Sequence, residues 1–241
     1  MRTALRAGAL AALALTIQTL PTAASAGPAD YVSSPIVEEG EREIDLKLGS
    51  AKFRDGTRET QQSLGLGLGV NSWWFTELYA LWHKVPGESH GFDAWEWENK
   101  FQLTETGKYP VDVGLLLEIE RPKDRSEGYE VRWGPLLQSD LTPNVQANLN
   151  LLFEHDWARP DGTRLKLQWQ ALHRLGPGLR LGLQGFGELG RWNDWARTSV
   201  RTGPVLRLGL PARLEWQAAY LWGRTNARRG DMFSTQLSLA F

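Results

Sequence analysis

Residues 231–241 read DMFSTQLSLAF and are the last of the chain. Phe233, Thr235, Leu237, Leu239 and Phe241 fall on one face of an extended strand; Met232, Ser234, Gln236, Ser238 and Ala240 fall on the other. The alternation has period two and runs to the final residue, an aromatic. A terminal strand frays unless something pairs it. A closed barrel supplies that partner by pairing its last strand with its first.

This ending resembles the C-terminal strand of Gram-negative outer-membrane β-barrel proteins. The resemblance implies a location in the cell outer membrane. It also implies that Phe241 belongs to the signal read by the barrel-assembly machinery.

The opposite end agrees. Arg2 and Arg6 precede a largely apolar stretch, residues 7–17, and Ala24-Ser25-Ala26 forms a small-residue cleavage box. Residues 1–26 are therefore expected to be a cleaved signal peptide. The chain has no Cys, which excludes disulfides, thiolate metal sites and a lipoprotein anchor. A formal charge of -1 argues against nucleic acid as a partner. Twelve tryptophans in a chain of modest mean hydropathy suit a greasy exterior, a polar interior and aromatic girdles.

Between the ends, alternation recurs in stretches of about ten residues, the length of a tilted membrane strand. Leu64, Leu66, Leu68 and Val70 point one way with glycines between them, and Leu179, Leu181 and Leu183 do the same later. Trp95, Trp97 and Phe101 form another outward row, interrupted by Asn99. The pattern predicts an all-β, antiparallel up-and-down transmembrane barrel of about twelve strands over residues 41–241. Residues 27–40, with Pro28 and Pro35 and little period, are expected as a periplasmic lead-in. Short turns should alternate with longer, more charged loops at the outer end, residues 190–196 among them.

Two segments repeat: VRWGPLL at 131–137 and VRTGPVL at 200–206. Each proline removes a ladder donor, so a bulge or bend is expected at both, with Arg132 and Arg201 pointing inward. Aromatics gather at strand ends: Trp74, Tyr109 and Phe241 on one side, Trp82, Trp157, Trp192, Trp195 and Trp222 on the other. They are expected as interfacial girdles.

Catalytic chemistry is weakly supported. His83 and His90 lie near Asp93 and Glu96, but no fixed ligand spacing appears, and no metal or cofactor is expected. His155 faces outward near the rim, yet the outer-membrane phospholipase pattern of a His shortly followed by Ser-Asn is absent. No catalytic residue is assigned and the chain is not expected to be an enzyme; a lipid-modifying hydrolase is the third reading.

Inward positions are polar. The first half of the chain places mainly acids inward and the second half mainly arginines, with Gln and Asn between. Strands about six apart oppose each other in a barrel, so an acidic wall should face a basic one. Arg132, Arg201, Arg207 and Arg213, against Glu98, Asp112 and Glu118, are the candidate pore-lining residues. The leading expectation is a porin-like passive channel for small polar or charged solutes. A closed, salt-bridged structural or adaptor barrel is the alternative. Membrane lipid, lipopolysaccharide and the assembly machinery are the expected partners, with small polar solutes and no nucleic acid.

Overall fold

A computed structural model describes residues 27–53, 55–84, 86–87, 89–158, 162–224 and 229–241; the expected signal peptide, 1–26, lies outside them. Twelve strands follow one another: β1 (Arg42–Phe53), β2 (Arg58–Asn71), β3 (Trp74–Lys84), β4 (Gly91–Gln102), β5 (Asp112–Pro122), β6 (Glu130–Thr142), β7 (Val145–Asp156), β8 (Arg164–Gly176), β9 (Leu179–Arg191), β10 (Asp194–Leu210), β11 (Leu214–Arg224) and β12 (Arg229–Ala240). Each is antiparallel to its neighbours, and β12 closes on β1. In that seam Leu46 sits opposite Leu237. Phe241 exchanges two backbone hydrogen bonds with Arg42, at 2.8 and 3.2 Å. The final residue therefore completes the ring.

The two faces follow the sequence pattern. Leu66, Leu78, Leu181 and Leu183 are exposed on the outside, while their neighbours Tyr79 and Gln184 are buried within. Ring clusters flank this belt. Trp73, Trp74 and Phe101 stack at the end carrying the chain closure, with centroids 6.1 to 6.5 Å apart. Trp82, Phe92 and Trp95 pack at the other end. A closed antiparallel sheet with an apolar outer band between aromatic girdles is the architecture of an outer-membrane barrel. The closure end is the periplasmic one by the usual topology.

Asn99, the polar residue in an outward row, is tucked under Trp74, whose indole Nε1 donates to its Oδ1 at 3.0 Å. This partner satisfies the carboxamide oxygen, while Nδ2 is buried without a hydrogen-bond partner. The two Gly-Pro sites are not bulges: pairing with β7 skips Gly134-Pro135 and pairing of β10 with β11 skips Gly203-Pro204, and register is kept on both sides. A side chain at Gly134 would meet the Leu151 carbonyl and one at Gly203 the Tyr220 carbonyl, so both repeats use glycine for the same close approach. One connection differs from expectation: β9 and β10 are joined by residues 192–193 alone, since β10 is the longest strand and takes up the rest of that loop.

Candidate functional site

The bore is where the structure departs most from the sequence pattern. Residues 27–40 do not lie ahead of the barrel. They enter its periplasmic mouth, where Gly40 continues the β1–β2 pairing, and climb inside it apart from the strands. At the mouth, Gly40 N donates to Gly69 O and Gly69 N to Glu41 O, both at 2.8 Å. Higher up, Val37 N donates to Gln102 Oε1 at 2.7 Å and Ser34 Oγ to Gln138 Oε1 at 2.9 Å. The Tyr31 hydroxyl donates to Glu98 Oε2 at 2.6 Å. Its ring lies under Lys47, whose Nζ is 3.4 Å from the centroid. Ala29, Val32, Ser33 and Val37 are buried.

Wall glycines make this path possible. A Cβ at Gly49 would strike the Pro28 carbonyl, one at Gly69 the Glu38 carbonyl, and one at Gly114 would come within 2.8 Å of Pro35 Cβ. These residues face inward on three different strands, and each lets backbone approach backbone. The glycines at alternate positions of β2 were visible in the sequence. Their purposes were not: Gly69 admits the inner segment, whereas Gly65 and Gly67 make room for the Tyr79 and Phe75 rings of β3.

Above the periplasmic third, the interior is filled. Val32 joins Ala51, Leu172, Phe186, Val205, Ala219, Leu221 and Met232 in a buried apolar cluster inside the barrel. Leu116, Leu136 and Leu152 form another. The inward face is thus less polar than expected. Between these clusters sits a buried amide group: Gln170 Nε2 donates to Gln184 Oε1 at 2.8 Å and to Gln217 Oε1 at 3.2 Å.

The charged candidates separate into three places. Arg132 and Glu118 meet at 2.7 Å on neighbouring strands. Arg132 also reaches Glu130 at 3.3 Å and Glu154 at 3.5 Å, and Glu154 pairs with Arg164 at 2.5 Å and with Lys166. Charges here are compensated between adjacent strands β5 to β8, rather than across the bore. Low dielectric favours the shortest link between opposite charges. Glu98 binds the inner segment through Tyr31. Arg201 is buried against the apolar cluster, where its guanidinium reaches Gly230 O at 3.3 Å and Met232 Sδ at 3.5 Å.

The remaining candidates mark the periplasmic mouth. Asp112 accepts from Gly107 N at 2.8 Å in the adjoining turn. Arg213, in a turn at φ 56°, extends to Glu38 at 2.9 Å. Arg207 is steered inward by Gln217, with Nη2 to Oε1 at 2.9 Å. Arg207 and Arg213 line a vestibule of about 440 Å³ with Arg180, Glu41, Glu43 and Lys100. This volume is open to the periplasmic side and lies beneath Tyr31 and Val32. It brings acids and bases to one chamber, with Arg207 3.3 Å from Glu215 and Arg213 3.6 Å from Glu41.

The histidines do not assemble as a site. His83 lies between Glu59 at 2.9 Å and Asp93 at 3.4 Å, while Glu96 turns to Glu98 and Glu118 instead. His155 Nδ1 is 3.1 Å from the Thr163 hydroxyl and its ring meets Trp157 edge-on.

No family model and no curated protein matches the sequence. Solved structures do resemble the fold. The KdgM porin in complex with disordered oligogalacturonate superposes with TM-score 0.62 at 8% identity, covering 83% of this chain and 99% of that one. The NanC porin gives 0.59 at 11%, covering 82% and 98%. An outer membrane channel from Pseudomonas putida F1 gives 0.61 at 10%, covering 90% and 100%. At such identity the likeness is one of architecture: this chain is a closed twelve-stranded β-barrel with the fold of solved outer-membrane channels.

Proposed function

We propose that the protein is a passive outer-membrane channel for small charged or zwitterionic solutes, closed in the present state by its own residues 27–37. The observation that carries this reading is that the obstruction is not part of the wall. Residues 27–37 sit in the bore without a strand partner, held by side-chain hydrogen bonds and by the packing of Val32, above a polar chamber of about 440 Å³. A barrel whose only role was structural would need no such chamber. The fold of the solved neighbours supports a channel at this coarse level, and none of their substrates is carried over.

The chamber also suggests the solute class. Arg180 and Arg207 lie among its lining with Glu41 and Glu43, so a molecule bearing both signs finds a partner for each end. The test is conductance in planar bilayers of the mature chain and of a chain lacking residues 27–37. The intact chain should be silent or open rarely, and the shortened chain should conduct steadily. Silence in both would favour the second reading, a closed structural barrel. That reading rests on the ion-pair lattice around Glu154 and the apolar cluster around Leu136, both made by wall residues alone.

A further inference from the structure

We propose that the barrel interior holds a hard divalent cation, Ca²⁺ or Mg²⁺, that latches the inner segment to the wall. The place is a small cavity of about 40 Å³ between them. Glu96 and Glu98 of β4 and Glu118 of β5 line it, and each offers a carboxylate oxygen within 4.8 Å of the others. From the opposite side, the inner segment contributes Asp30 to the same lining.

Two observations independent of that clustering point to a ligand. The first is the state of the oxygens. Glu98 is only 1% exposed, and while its Oε2 accepts from Tyr31, its Oε1 has no hydrogen-bond partner. Asp30 Oδ2 is likewise buried without one, on a segment far from Glu98 in sequence. A buried carboxylate oxygen left without a donor is costly, and the two residues that carry these oxygens line the same cavity. The second is charge. Asp30, Glu96, Glu98 and Glu118 line the space against only Lys47 and Arg132. Both bases are shared with other groups: Lys47 with Asp45 at 3.3 Å and with two tyrosine rings, and Arg132, which pairs with Glu118 at 2.7 Å, also with Glu130 and Glu154. With all four carboxylates ionised the lining would carry an excess of negative charge of about two, which a divalent cation would offset where low dielectric disfavours unpaired charge.

The chemistry selects the ion. All donors are carboxylate oxygens, which suit hard cations and offer nothing to soft ones. The cavity exceeds the roughly 10–15 Å³ that a single water needs, so an ion with one or two waters fits. Because Asp30 comes from the inner segment and the glutamates from the wall, such an ion would join the two as a bridge. Release of the ion would leave like charges facing each other and loosen the closure. This latch rests on the closed-channel reading for its consequence, but not for its existence.

The experiment is isothermal titration of CaCl₂ and of MgCl₂ into the mature protein, refolded in detergent free of lipopolysaccharide, near neutral pH. The expected result is saturable binding of one ion per barrel, with a raised thermal midpoint. Glu96→Gln and Glu98→Gln, which keep side-chain shape, should each weaken binding about tenfold or more. Asp30→Asn should weaken it too, and it cannot disturb the sheet because Asp30 is outside it. Folding of each variant is checked by the heat-modifiable gel shift. Absence of saturable binding at millimolar Ca²⁺ and Mg²⁺ overturns the proposal, as does binding that all three variants leave unchanged. Conductance plays no part in this readout, so a failed latch and a failed channel are told apart. With the latch confirmed, chelation should raise the open fraction of the intact chain in bilayers.

Discussion

The Tyr31 hydroxyl donates to Glu98 Oε2 at 2.6 Å, tying a segment outside the sheet to a buried carboxylate on β4. Sixty-seven residues separate the two in sequence. Tyr31→Phe keeps the ring under Lys47 but strips Glu98 of this donor. Leaving a buried acceptor unsatisfied costs about 1–3 kcal/mol. The loss should fall mainly on the closed state. Openings of the intact channel should become more frequent, while the temperature at which the barrel itself unfolds moves little. A variant as silent as the parent would show that Tyr31 does not hold the closure.

Glycine substitutions probe the same closure from the wall. Gly49→Val and Gly69→Val place a side chain where the Pro28 and Glu38 carbonyls lie. Gly91→Val enters open space and serves as the control. The first two should displace the inner segment and expose residues 27–40 to added protease in refolded samples, without loss of the barrel gel shift. Equal protection in all three variants would place the segment elsewhere.

Lipid-facing and lumen-facing positions on β9 should not differ as a hollow barrel predicts. Leu181→Arg faces lipid and should cost about 2–4 kcal/mol near the midplane. From sequence alone Gln184→Arg ought to be cheap. In the structure Gln184 is fully buried and bonded to Gln170, so overpacking and lost hydrogen bonds should cost about 1–3 kcal/mol. Gln146→Glu, at the vestibule, should stay within about 0.5 kcal/mol. Refolding titrations into lipid measure all three. Equal values for Gln146→Glu and Gln184→Arg would mean the upper bore is not packed.

Selectivity should be set in the vestibule. In the chain lacking residues 27–37, Arg180→Gln with Arg207→Gln should shift reversal potentials toward cation preference. Glu41→Gln with Glu43→Gln should shift them toward anions. Arg132→Gln is expected to disturb stability instead, because its charge is already shared with Glu118, Glu130 and Glu154. If Arg132 moved selectivity and the Arg180/Arg207 pair did not, the constriction would lie in the upper bore.

Phe241 has two separable roles. Its backbone pairs with Arg42 to complete the ring, and its ring is exposed. Deleting the residue removes both, whereas Phe241→Ala removes only the ring. If the ring is the assembly signal, both changes should lower assembly yield in cells, while in vitro refolding suffers only on deletion. Ala240→Gly should matter less in either assay. Normal cellular yield for Phe241→Ala would assign the role of the last residue to the ladder alone.

Strand number, strand faces and barrel closure were legible because they follow from a local rule. A strand between lipid and lumen must alternate with period two, so Leu179-Arg180-Leu181 and Phe233-Ser234-Thr235 each declare their own orientation. Asn99 looked like a fault in its row because its remedy, the Trp74 indole, comes from the next strand. The state of the bore obeyed no such rule. Residues 27–40 have no period, and what holds them is distributed: a tyrosine acceptor on β4, amides on β4 and β6, and glycines on β1, β2 and β5 that create space only when the ring is closed. The same holds for Arg132 and Arg201. The sequence marked both as inward in matching GP repeats, but their neighbours across the sheet make one an ion-pair hub and leave the other packed beside Met232. Alternation along one strand determines which way a side chain points. What it meets there depends on strands brought together by closure, and that is a property of the tertiary structure alone.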